Sequence, residues 1–234
     1  MAKSNVWMSV SDLMTGLMVI FLFVAIAYIK MVQDSTSVLS NYVDTKTEMH
    51  DKLVKEFKGD TARWQMTIGK DLSMKFNNPT TLFQFGKADI TPGFKSILDE
   101  FIPKYLNILL ADSSRMNIQE IRIEGHTDMT PVSGKDPFLG NVELSQRRAY
   151  SVLEYIRKNF YPSYSEKDQK LLDFWFTANG LSYGKALDSH GKYVFDSGEA
   201  INDSLSRRVE FRIVTSGEEI LENFIKEKES WSNN

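Results

Sequence analysis

The sequence contains no cysteine, so disulfides, a cysteine-ligated metal and a lipidated cysteine are excluded, and either side of a membrane remains open. Neither sign of charge dominates: the formal net charge is -3 at pH 7, which gives no electrostatic footprint for nucleic acid. A phosphate-cradling glycine loop and a nucleophile elbow are both missing, and His50, His126 and His190 stand without metal-ligand spacing. These absences argue against an enzyme, a cofactor and a resident metal. No internal repeat or low-complexity tract occurs. Long apolar runs are scarce too, with a single exception near the N-terminus.

That exception is Leu13 to Ile29, which carries no charge and which Val6, Trp7, Met8, Met31 and Val32 extend beyond the roughly 20 residues needed to cross a bilayer. One membrane-spanning helix is the natural reading. A cleaved secretory signal is the rival, since Ala25-Ile-Ala27 has the small-x-small form of a cleavage site, but Lys3 is a meagre basic region and Asp12 is out of place in such a signal. An ionised Asp in a membrane helix costs roughly 2.5–3.5 kcal/mol, so intramembrane acids usually face protein and handle ions. Asp12 is therefore a candidate ion carrier. Its other reading is a helix N-cap at headgroup depth, with Trp7 as an interfacial aromatic residue. Thr15 and Gly16 lie one turn away, where Thr15 offers an oxygen or simply bonds its own backbone, and Gly16 allows close helix approach.

The remainder reads as an α+β domain behind a polar helix. Residues 33–60 have the character of a helical linker, with Val32, Leu39 and Leu53 on one heptad position and Tyr42 and Met49 on its partner. That pattern fits a short two-stranded coil, and a solvated single helix equally well. Gly59-Asp60 marks the domain boundary. Short strands are expected at Gln65–Ile68 and Leu72–Phe76 around Gly69-Lys70. Thr91-Pro92 reads as the start of an amphipathic helix that Pro103 should bend or end. A strand through Ile118, Ile121 and Ile123 leads into Gly125-His-Thr-Asp128, followed by a loop over 129–140 and a helix from Leu144 to Phe160. Phe174–Leu181 and Arg208–Val214 read as strands separated by a polar loop, and Glu218–Trp231 as a C-terminal amphipathic helix. The expected segments are thus 1–32 (tail and membrane helix), 33–60 (linker), 61–216 (domain) and 217–234 (terminal helix).

Four ordered segments carry a resemblance. Phe85-Gly-Lys-Ala-Asp-Ile-Thr-Pro92, Ile123-Glu-Gly-His-Thr-Asp128, Asn141-Val-Glu-Leu-Ser-Gln-Arg-Arg-Ala149 and Ser206-Arg-Arg-Val-Glu-Phe211 resemble the signature segments of OmpA-like peptidoglycan-binding domains. In that family the Asp and the Arg of the middle two segments hold the diaminopimelate of the cell-wall peptide, which maps here to Asp128 and Arg148. A carboxylate and a guanidinium at one rim suit the ammonium and carboxylate of a zwitterion. Asn141 and Leu144 match positions lining the same pocket, Thr127 would support the loop, and Ser145 would cap the helix carrying Arg148. Taken alone, Arg148 would be an ordinary surface cation on a helix. Ser206 departs from the family's usual Asn-Arg-Arg, which touches the pocket edge. The loop over 129–140 is longer than in OmpA and resembles that of flagellar MotB.

Ser11-Asp-Leu-Met-Thr-Gly-Leu-Met18 resembles the ion-binding stretch of MotB-type stator subunits. A spanning helix with this Asp ahead of an OmpA-like domain is similar to MotB as a whole, and its compactness is most similar to the ZorB family of Zorya anti-phage defence systems. The resemblance implies two copies of this chain inside five MotA-like subunits, with H+ or Na+ bound and released at Asp12. It also implies a single pass through the cell inner membrane, with the N-terminus cytoplasmic and the domain periplasmic. The positive charges flanking the span, Lys3 and the amino terminus against Lys30, set that orientation only weakly. A flagellar stator subunit and a passive peptidoglycan-binding tether without ion transport remain as alternatives.

Overall fold

The computed structural model describes residues 2–217 apart from 116 and 133–135, and gives backbone alone at 2–6, 8, 9, 34, 35, 38, 39 and 41. The expected C-terminal helix therefore lies outside the described residues. Those that are described divide into two units, the first ending at Asp44 and the second beginning at Thr45.

The first unit is the greater part of helix α1, which spans Ala2–Phe57. Its interior has no proline and Gly16 as its sole glycine, so nothing in the backbone breaks the ladder. Val10–Gln33 is long and apolar enough to cross a membrane, and none of it is buried within the chain. At 24 residues it measures about 36 Å, ample for a hydrocarbon core of about 30 Å. Because α1 begins at Ala2, Asp12 sits in its interior, not at its N-cap.

The second unit takes in the last turns of α1. Met49, Leu53 and Phe57 recur at helical spacing and are buried in the unit's core, where the Phe57 ring lies 5.1 Å from that of Phe101. This corrects the linker reading: Met49 and Leu53 belong to a core within the chain and cannot form a seam with a second copy, and the unit starts within α1 instead of at residue 61.

The antiparallel hairpin of β1 (Met66–Ile68) and β2 (Ser73–Phe76) follows, with a short α2 (Pro79–Leu82) after it. Helix α3 (Pro92–Leu110) starts where Thr91 Oγ1 accepts the Phe94 N–H at 3.1 Å. Pro103 does not end it; Phe101, Ile102, Tyr105 and Leu106 on either side are fully buried, and their packing outweighs one missing backbone bond. After α4 (Asp112–Arg115) and β3 (Ile118–Gly125), helix α5 covers Pro137–Asn159. Its start is earlier than the sequence suggested. Asp136 is the N-cap, accepting from Phe138 and Leu139 N–H at 2.9 and 3.0 Å, so Ser145 is a mid-helix residue and not the cap. Helix α6 (Glu166–Trp175), begun by Ser165, leads directly into β4 (Phe176–Gly180), so Phe174 is helical and not part of the strand. Two short helices, α7 (Val194–Ser197) and α8 (Asp203–Ser206), precede β5 (Val209–Thr215).

The strands form one mixed sheet in the order β1-β2-β5-β3-β4, in which β3 and β4 alone pair in parallel. Residues alternate between faces. Ile121, Ile123, Val209, Phe211 and Ile213 enter the core, with Phe101 and Phe76 at 5.1 and 5.9 Å from the Phe211 ring. The alternate residues Arg122, Glu124, Glu210 and Arg212 share the opposite face, and the register sets Glu124 against Glu210.

Two glycines let α5 lie across the strand ends. A Cβ on Gly125 would come 2.2 Å from the Ser145 carbonyl oxygen, and one on Gly180 would meet the Gln146 backbone at 2.4 Å. Gln146 then bonds the strand end itself, donating to Ala178 O and accepting from Gly180 N–H. This close approach fixes where Arg148 emerges.

Candidate functional site

The site is built where β3, α5 and β5 meet. The backbone of His126 and Thr127 continues beyond β3 by donating to the carbonyls of Arg208 and Ser182, each at 3.0 Å, and delivers Asp128 to the edge of the sheet. Asp128 is buried. One of its carboxylate oxygens accepts the Thr130 N–H at 2.8 Å, and the other accepts from Arg207 Nη1 at 2.7 Å. Asn141, on the first turns of α5, donates to the carbonyls of Thr130 and Pro137 and so ties down the start of the loop. The Thr127 hydroxyl is buried without a hydrogen-bond partner, so its support of the loop comes through its backbone.

Arg148 is also buried, with Nε donating to Lys87 O at 3.0 Å and the guanidinium 5.0 Å above the Phe83 ring. Burial pulls its pKa down to about 10, against the raising effect of Asp128 and with that of Arg207. Even so, it is cationic at neutral pH.

Arg148 faces a cavity of about 140 Å³. Arg207, Arg208 and His126 share its wall, and Leu82, Phe83 and Phe85 give it an apolar side. Phe85 is 79% exposed at the rim. Three guanidinium groups around so small a space favour a compact anion attached to an apolar stem. The sequence-derived set is therefore only partly assembled on this wall: Arg148 lines it, Asp128 stands behind Arg207, and Asn141, Leu144 and Thr127 are buried off it.

Beneath the cavity lies a charged network that sequence reasoning missed. Arg208 is fully enclosed, with Nε on Glu210 Oε1 at 2.5 Å and its terminal nitrogens on the Ser206 and Lys185 carbonyls. Arg212 approaches Asp71, Glu124 and Glu210 at 3.1, 3.6 and 3.7 Å. The His126 ring lies 3.7 Å from Glu124 and 3.5 Å from Glu210, with neither nitrogen hydrogen-bonded. Burial, reinforced by Arg208, lowers its pKa to about 3, so it is neutral. Burial likewise raises the Glu124 carboxyl, against the pull of Arg212. Glu124, His126 and Glu210 are close enough to chelate a cation. Two guanidiniums already neutralise those carboxylates, however, and the trio reads as a salt network in place of a metal centre. The alternation of Arg208, just before β5, with Glu210 and Arg212 on it was the available signal.

In the first unit, the Thr15 hydroxyl donates to Ser11 O at 2.8 Å. Its hydrogen is engaged by the helix, and its oxygen lone pairs remain.

Residues 82–172, which include Asp128 and Arg148, match the OmpA family. Over 94% of this chain and 92% of its own length, the Zorya protein ZorB of Escherichia coli strain Crooks is 35% identical. The chain belongs to the ZorB family. A second Zorya protein ZorB, from E. coli O139:H28, is 24% identical over 91% of this chain and 81% of its own. The first ZorB match covers too much of the chain to be confined to the OmpA-like part, and takes in both units. In solved structures the same α+β fold occurs in a MotB-like protein from Desulfovibrio vulgaris, at a TM-score of 0.51 and 20% identity over 75% of this chain and 98% of that one. The ZorB-family chain thus joins an apolar N-terminal helix to a domain with the OmpA-like α+β fold.

Proposed function

We propose that this chain is the MotB-like subunit of an ion-driven rotary membrane motor, anchored to peptidoglycan and serving Zorya anti-phage defence. The observation that carries the reading is Asp12, an ionisable residue inside a helix whose apolar span has no cover among the described residues. Such a helix needs lipid or partner helices around it, and an acid within it needs a polar task. The partner would be a MotA-like membrane protein, five copies around two of this chain. H+ is the ion that the MotB resemblance favours, with Na+ as the other candidate. Binding at Asp12, with Thr15 nearby, neutralises the carboxylate and alters its contacts with the ring.

The second unit supplies the fixed point. A force-generating complex that is not attached to the wall would only turn itself, and Arg148 and Asp128 offer the charges to hold the diaminopimelate centre of the cell-wall peptide. Leu144 and Asn141 would shape the ground on which these two stand. The placement follows: one pass through the inner membrane, N-terminus in the cytoplasm, OmpA-like domain in the periplasm. Membership of the ZorB family favours defence over flagellar rotation. A passive tether, in which Asp12 is a helix cap, fits poorly with a helix that begins at Ala2.

Co-sedimentation with purified sacculi tests the anchor. The wild-type chain is expected to pellet, and Asp128→Ala combined with Arg148→Ala to weaken binding by more than about tenfold, or 1.4 kcal/mol. Unchanged pelleting would remove peptidoglycan from the account.

A further inference from the structure

The three guanidinium groups on the cavity wall are held very differently. Arg208 is enclosed by Glu210 and by the Ser206 and Lys185 carbonyls. Arg148 is pinned between Lys87 O and the Phe83 ring. The Arg207 side chain, by contrast, is 34% exposed and is tied through Nη1 to Asp128, whose own side chain is only 5% exposed behind it. Thr130 N–H occupies the other oxygen of Asp128.

This arrangement treats ligands unequally. An ammonium cannot reach Asp128 unless Arg207 yields, and Arg207 would then be an unpaired cation beside Arg148 and Arg208. A lone carboxylate can meet Arg148 but does nothing to release Arg207. A zwitterion resolves both problems at once: its ammonium replaces the guanidinium on Asp128, and its carboxylate gives the displaced guanidinium a new partner next to Arg148. The exchange leaves Asp128, Arg207 and both ligand charges paired, with Arg148 sharing the ligand carboxylate.

We propose that Arg207 is a latch on Asp128 that makes the cavity select a compact zwitterion, an amino-acid centre with both its amino and its carboxylate groups free. The inference rests on the anchoring role assigned above and deepens it. It also makes Arg207 a specificity-determining residue, and it gives a role to the Ser-Arg-Arg segment at the pocket edge.

The test is calorimetric titration of the detergent-solubilised full-length chain with meso-diaminopimelate and with 1,5-diaminopentane, which carries ammonium groups but no carboxylate. In Arg207→Gln, the diamine is expected to bind at least fivefold tighter than to wild type because Asp128 is uncovered, while the advantage of the zwitterion over the diamine shrinks at least tenfold. A side chain with a merely structural role would not produce a gain of affinity. Arg207→Lys retains the charge that covers Asp128, and its diamine affinity should stay within twofold of wild type. Equal diamine binding by wild type and Arg207→Gln, an unchanged zwitterion advantage, or a gain in Arg207→Lys as large as in Arg207→Gln each overturns the latch. A wild-type chain that binds neither sacculi nor diaminopimelate overturns the anchoring role, and the latch with it.

Discussion

At the scale of single residues, burial decides which charges are fixed and which can respond. His126 is the clearest case. In the unfolded chain its pKa is close to 6.5, and in the fold burial lowers it to about 3. Its neutral form is therefore the folded form, and stability present above about pH 6.5 is lost as pH falls toward 3, by about 1.4 kcal/mol per unit. Between pH 7 and pH 5, urea melts of wild type should show about 2 kcal/mol more loss than those of His126→Gln. Parallel acid limbs would show that the imidazole takes up its proton without unfolding. The four motif segments singled out Asp128 and Arg148 in the sequence, and the fold buries both near the same sheet end. Arg207 covering Asp128 was not legible there, because that pairing joins residues far apart in the chain. The network under His126 was hidden for the same reason: it depends on β3 and β5 being neighbours and in register.

At the scale of elements, caps and core stripes govern where helices start and stop. Helix α5 was legible as a helix through Ala149, Val152 and Ile156, which are buried as their spacing implies. Its true start was missed because Asp136-Pro137 lies in a stretch rich in turn-forming residues. Asp136→Ala should cost about 1 kcal/mol of stability, measured by denaturant melts. Helix α6 escaped notice altogether, although Ser165 with Asp168 three residues on is an N-terminal signature. The aromatic run Phe174-Trp-Phe176 drew the strand reading too far upstream. The last turns of α1 give the sharpest contrast. Leu53 is fully buried, whereas its neighbour Val54 is exposed. Leu53→Ala is expected to cost about 2–5 kcal/mol and Val54→Ala less than about 0.5 kcal/mol, by the same melts. Similar small effects at both positions would return this stretch to the role of a linker. Periodicity alone could not distinguish a stripe that faces a second copy from one that faces the chain's own core.

At the scale of the whole molecule, the chain combines two kinds of chemistry in separate units. One unit offers a carboxylate in an apolar helix, and the other an arginine-walled cavity at the end of a mixed sheet. The α+β class and the order of the parts were readable from hydropathy and motif order, since both are written locally. What the proposed motor would turn, and against which partner surface, is written in other chains. The proposed motor role rests on Asp12. The direct measurement is ion flow through cells expressing this chain with the MotA-like partner proposed for it, followed with a cytoplasmic pH-sensitive dye, together with phage plaque counts on the same cells. Asp12→Asn keeps the shape of the side chain and removes its titratable charge, so it should abolish both proton entry and phage restriction while the protein still reaches the membrane and pellets with sacculi. Proton entry and restriction at wild-type levels in Asp12→Asn would contradict the account.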